Sequence, residues 1–112
     1  MEIKKWHVYL ADLNPRRGTE PGKTRPVVVV QTDLLNSTHP STIICPITTN
    51  VQLKAQFLRV HLAKGEGGLV EESDVMVDQL RAIDNRRLIK HLGVLSRHSQ
   101  EKLAENIRIV LN

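Results

Sequence analysis

Hydrophobic positions alternate with polar ones in some stretches of this chain, run unbroken in others, and recur at helical spacing at its end. Trp6 to Leu13 alternates, with Trp6, Val8 and Leu10 on one face and His7, Tyr9 and Ala11 on the other, the pattern of a strand. Asn14-Pro15 ends it. Pro26 to Gln31 is a continuous apolar run, as in a strand covered on both faces. Ser41 to Thr48 follows, and Pro46 within it marks an edge or a bulge. Phe57 to Leu62 alternates again. A Gly65-Glu66-Gly67-Gly68 turn leads to an extended piece from Val75 to Arg81, and Arg87 to Leu95 adds another. From Ser96 the period changes: Leu103, Ile107, Val110 and Leu111 share one helical face, with Ser96 as the N-cap. Many short strands with Gly/Pro turns and one terminal helix predict a small, curled antiparallel sheet or partial barrel.

Composition narrows the partners. A chain of 112 residues is expected to be one domain with a modest core. Cys45 is the lone cysteine, within Ile43, Ile44 and Ile47, so an internal disulfide is excluded and a buried structural thiol is expected. A reducing cytoplasm fits. No run approaches the roughly 18 apolar residues of a membrane helix, and the N-terminus lacks the apolar core of a signal peptide. The net charge of +4 is compatible with a polyanion. Trp6, Tyr9 and Phe57 are the only aromatics, too few for recognition dominated by base stacking.

The chemistry concentrates where the loop Gly18-Thr19-Glu20-Pro21-Gly22-Lys23-Thr24 meets Arg25-Pro26 and the valine run. Pro26 disfavours the helical region for the residue before it, so Arg25 is expected to be extended and fixed to the strand. The Gly-Lys-Thr of this loop is not a phosphate-binding P-loop. Its glycines enclose three residues instead of four, and it opens a strand rather than a helix. If Pro26–Asp33 and Ser41–Thr48 form a hairpin closed by residues 34–40, Pro26 pairs with Thr48, and Arg25 and Thr48 share its open end. A slip of one residue would turn Thr48 to the other face.

Taken with Asp78-Gln79-Leu80-Arg81-Ala82-Ile83-Asp84, Arg87-Leu88 and Leu92-Gly93-Val94-Leu95-Ser96, these features resemble the MazF/PemK/Kid toxins of bacterial toxin–antitoxin pairs, over roughly residues 6–111. The resemblance implies an α+β, mainly β fold: a compact SH3-like antiparallel barrel, CcdB/PemK-like, with a C-terminal helix. It also implies a sequence-selective, metal-independent endoribonuclease for single-stranded RNA, dimeric and neutralised by an antitoxin with an acidic flexible tail. By position, Arg25 and Thr48 match the family's catalytic pair, and Glu20 and Asp78 match acidic residues implicated in some members. Thr19 stands where one branch has a functional His, and Met76 where that branch has a catalytic Arg. The chain therefore resembles the branch relying on Arg25 and Thr48.

Metal-free RNA cleavage uses the 2′-OH to attack the adjacent phosphate. It leaves a 2′,3′-cyclic phosphate and a 5′-OH. Arg25 suits the charge on the phosphate oxygens, Thr48 adds a hydroxyl donor, and Glu20 is the better base because arginine stays protonated. Asp78 and Gln79 can read base edges; Arg81, Arg16, Arg17 and Lys23 can meet phosphates, with Thr19 beside them. The plainer alternatives are a salt bridge for Arg25, a strand residue for Thr48 and a solvated loop for the cations. The five histidines show no converging spacing, Glu71-Glu72 with Asp74 reads as a solvated charge run, and no metal or other cofactor is expected. The apolar helix face suggests a homodimer. Competing readings are a gyrase-binding toxin of similar fold, which depends on a C-terminal tryptophan this chain lacks, and a basic RNA-binding barrel without catalysis.

Overall fold

The computed structural model describes residues 1–15, 18–19 and 22–112; the expectations placed on Arg16, Arg17, Glu20 and Pro21 lie outside them. Among the described residues seven strands form: β1 (His7–Asp12), β2 (Thr24–Val29), β3 (Ser41–Thr48), β4 (Arg59–Leu62), β5 (Ser73–Met76), β6 (Arg81–Asp84) and β7 (Leu88–Val94). One helix, α1 (Arg97–Leu111), ends the chain. The strands make a mainly antiparallel sheet in the order β4-β5-β3-β2-β1-β7, with β6 also paired to β3. The barrel expectation is met in curl but not in closure, since the end strands β4 and β7 do not pair among the described residues.

Two cores follow from the alternation. Val8, Val28, Cys45, Ile47, Val60 and Leu62 face α1, which covers them with Leu103. Tyr9, Ala11, Val27, Val29, Ile44 and Ile83 form the other. Residues from both faces of β1, β2 and β3 are therefore buried. Ser96 caps α1 as expected, its side chain accepting from Ser99 N. Leu103 is fully buried and Ile107 and Val110 pack on the sheet, but Leu111 is 67 % exposed. Leu103, Ile107 and Val110 thus cover the sheet, while Ile109 and Leu111 stay exposed at the end of the helix. Among the described residues, no helix is long and apolar enough to cross a membrane.

Two registers differ from expectation. The β2–β3 hairpin pairs Val27 with Pro46, Val28 with Cys45 and Val29 with Ile44, one residue away from the predicted alignment. The cause is Gln31. The ladder's last backbone bond is Val30 N to Ile43 O (3.0 Å). Beyond it, the Gln31 side chain takes over, donating to Ser41 O and accepting from Ile43 N, each at 3.3 Å. The turn therefore begins before residue 34.

The extended piece predicted from Val75 to Arg81 is instead broken by a single 3-10 turn at Val77–Gln79. Residues on its two sides pair with opposite halves of β3. Ile47 lies opposite Val75; the same register would put Ile44 opposite Asp78, yet it faces Arg81, three residues on. The turn absorbs those three residues, and Val77 N anchors it to Leu58 O at 2.9 Å.

Candidate active site

The corrected register matters most at the hairpin's open end. Continued two residues past Val27 and Pro46, it sets Arg25 across from Thr48. Directly opposed residues of an antiparallel pair project from the same face, so on the continued register the two groups share a face, where the predicted register placed them on opposite ones. Both are half-buried, neither sealed in the core nor free in solvent. Arg25 lies next to Ala11 in the β1–β2 ladder, and its Nε donates to Gly22 O at 3.1 Å. This local bond bends the guanidinium back over its own lead-in.

That lead-in is closed like a purse. Leu13 N donates to Lys23 O (3.0 Å), and Lys23 N donates to Asn14 Oδ1 (2.7 Å). Arg87 Nη1 reaches the carbonyls of Asp12 and Asn14. Lys23 pays for the closure with φ of +57°, an uncommon backbone state for a residue with a Cβ. Lys23 and Thr19 are exposed. Glu20 and Arg17 belong to the part of the loop outside the described residues.

Thr48 is held differently. Its Oγ1 accepts a hydrogen bond from Asn50 N at 3.1 Å. With a lone pair so occupied, the hydroxyl hydrogen is directed away from Asn50 and can be given to a ligand. Asp78 is exposed and Gln79 half-buried, both on the 3-10 turn beside the middle of β3; Arg81 is half-buried at the start of β6. They line the edge of β3 away from β2, so β3 separates them from Arg25. Cys45 is buried, and burial, with Asp78 second, pushes its thiol up to about 12. It is inert, as a structural thiol should be.

Two groupings run against the sequence expectations. Asp74 is no solvated charge: it is 1 % exposed and lies directly opposite Thr48 in the β3–β5 ladder. Its carboxylate accepts from Gln52 N (2.7 Å), Arg59 Nη1 (3.2 Å) and His61 Nδ1 (3.1 Å). Neighbouring Glu71 and Glu72 are exposed as expected. The alternation carried one part of the signal for this cluster, since Arg59 and His61 share one face of β4. Two histidines also converge despite their spacing: His7 Nδ1 and His91 Nε2 are 2.9 Å apart across β1 and β7.

Comparison with known proteins shows the family and the fold. The model of the family described as PemK-like, MazF-like toxin of type II toxin–antitoxin system matches residues 4–111. The chain is 33 % identical to Endoribonuclease EndoA of Bacillus subtilis (strain 168), covering 99 % of this chain and 96 % of that protein. Among solved structures, MazF from Deinococcus radiodurans superposes with a TM-score of 0.85 at 21 % identity, over 99 % of this chain and 97 % of the other. A MazE–MazF structure from the same organism gives 0.81 at 18 %, over 100 % and 97 %. The two structural matches speak for the fold alone.

Proposed function

The chain belongs to the PemK-like, MazF-like toxins of type II toxin–antitoxin systems, and from that premise we propose how it cleaves single-stranded RNA, with Arg25 and Thr48 gripping the scissile phosphate. The observation that carries this reading is the β2–β3 register, which, continued to the hairpin's open end, sets the two residues opposite each other. A guanidinium and a hydroxyl donor on one face can both reach the non-bridging oxygens of one phosphodiester. The ribose 2′-oxygen attacks phosphorus and the bond to the 5′-oxygen breaks, so the 2′-proton must leave and the departing oxygen must gain one.

Arg25 supplies fixed positive charge where negative charge grows, worth about 3–4 kcal/mol for a preorganised donor. Thr48 donates to the same phosphate, because Asn50 N already occupies a lone pair on its oxygen. Glu20, five residues before Arg25 in the chain, is the base candidate. Exposed Lys23 and half-buried Arg81 add a salt-sensitive pull on the RNA backbone, and Asp78 and Gln79 offer an acceptor and a donor to splayed bases.

The protein acts in the cytoplasm as a homodimer and is neutralised by an antitoxin whose acidic tail competes with RNA for these cations. The gyrase-directed alternative is set aside, because the relative sharing a third of the sequence is an endoribonuclease. Purified protein is expected to cut an RNA pool in EDTA and leave 5′-hydroxyl ends. Arg25→Ala should lower cleavage by about 100- to 1,000-fold with an unchanged circular dichroism spectrum. Undiminished cleavage by that variant would defeat the assignment.

A further inference from the structure

A hydroxyl that donates to a transition state must point somewhere definite, and the direction of Thr48 is set from outside the hairpin. Asn50 N holds Thr48 Oγ1. Asn50 is itself held by its carbonyl, to which Arg59 Nη1 donates at 3.0 Å. The same Nη1 lies 3.2 Å from Asp74 Oδ2, and that oxygen also accepts from Gln52 N at 2.7 Å. One buried carboxylate therefore fixes the turn after Thr48 at two points. His61 Nδ1 occupies its other oxygen at 3.1 Å, while His61 Nε2 faces exposed Glu72 at 3.1 Å. From the helix side, Asn106 Nδ2 donates to the carbonyls of Gln56 and Arg59 at 3.3 Å each, securing the far end of the same loop.

Packing alone does not call for such an arrangement. Apolar residues replacing Asp74 and Arg59 together would fill the site at least as well, because a buried ion pair rarely outperforms its hydrophobic replacement in stability. What the carboxylate adds is direction. We infer that Asp74 is a positioning residue for RNA cleavage, acting on the Thr48 hydroxyl through Arg59 and Asn50. This rests on the assignment of Thr48 to the phosphate given above. Asp74 itself touches no substrate.

The test is single-turnover cleavage of an oligoribonucleotide by the full chain, with rate and half-saturation measured separately. Asp74→Asn and Arg59→Gln should each slow the saturated rate about tenfold, the scale of a small misplacement, while half-saturation moves less than about twofold. In a Thr48→Ala background the same changes should cost less than about twofold, because the group they orient is gone. Glu72→Gln should cleave like the parent. A tenfold loss that persists in Thr48→Ala would overturn the inference and leave the assignment of Thr48 standing, and so would parent-like rates in Asp74→Asn and Arg59→Gln. Full activity of Thr48→Ala would overturn both. Should Asp74→Asn fail to fold, Arg59→Gln carries the test, since that side chain is 18 % exposed.

Discussion

Histidines join polar clusters in two places, His61 near one end of the sheet and His7 with His91 near the other, and the two clusters are built on different principles. Across β4 and β5, His61 meets a carboxylate that also serves Arg59 and a backbone N–H. Across β1 and β7, His7 meets another imidazole, with the rings 5.1 Å apart and Tyr9 edge-on to His91 at 5.3 Å. The first cluster gives every donor an anionic acceptor and ties down a loop. The second has no carboxylate between its rings and is comfortable only while it carries less than its full charge. The lesson is that a buried acid, not a histidine, turns a cluster into an anchor, and the anchor stands beside Thr48.

Removing the acid should separate the clusters most. Asp74→Ala leaves Arg59 without its charge partner and strips acceptors from His61 and Gln52 N, a class of change that costs about 3–5 kcal/mol. His91→Gln at the other end should cost no more than about 0.5 kcal/mol, as for ordinary surface changes. Equal losses in denaturant melts would erase the distinction.

Acid should then discriminate in the opposite sense. Burial first and His91 second hold the His7 pKa below its ordinary 6.5. The stability tied to a neutral His7 is thus complete above that ordinary value and is lost as the pH falls through the depressed folded one. Between pH 7 and 5, the parent's melting temperature should fall by about 2 °C more than that of His91→Gln. Parallel curves would mean that the imidazole pair stores no such penalty.

Much of this fold was legible as period. β3 was bounded correctly at both ends, and the helix with its Ser96 cap followed from spacing alone. What misled was side-chain substitution for backbone. Gln31 finishes the hairpin with its amide and moves the register by one residue, which no hydrophobic pattern records. The 3-10 turn at Val77–Gln79 hid for a related reason, because the stretch from Val75 to Arg81 looks extended until β3 is seen to divide its pairing between β5 and β6. At the candidate site, the places of Arg25 and Thr48 at strand ends were readable because a proline and a strand boundary fix them locally. Asp74 was not, since its three donors come from separate points along the chain, and an Asp beside two glutamates looks like solvent-facing charge.

The claim that Arg25 and Thr48 serve an attack by the substrate's own hydroxyl is tested most directly with one altered atom in the RNA. An oligoribonucleotide carrying a single 2′-deoxy sugar at the cleaved position should resist the enzyme in EDTA, while its all-ribose twin is cut to a 2′,3′-cyclic phosphate and a 5′-hydroxyl. Cleavage at the deoxy position, or 5′-phosphate ends from the twin, would contradict the account.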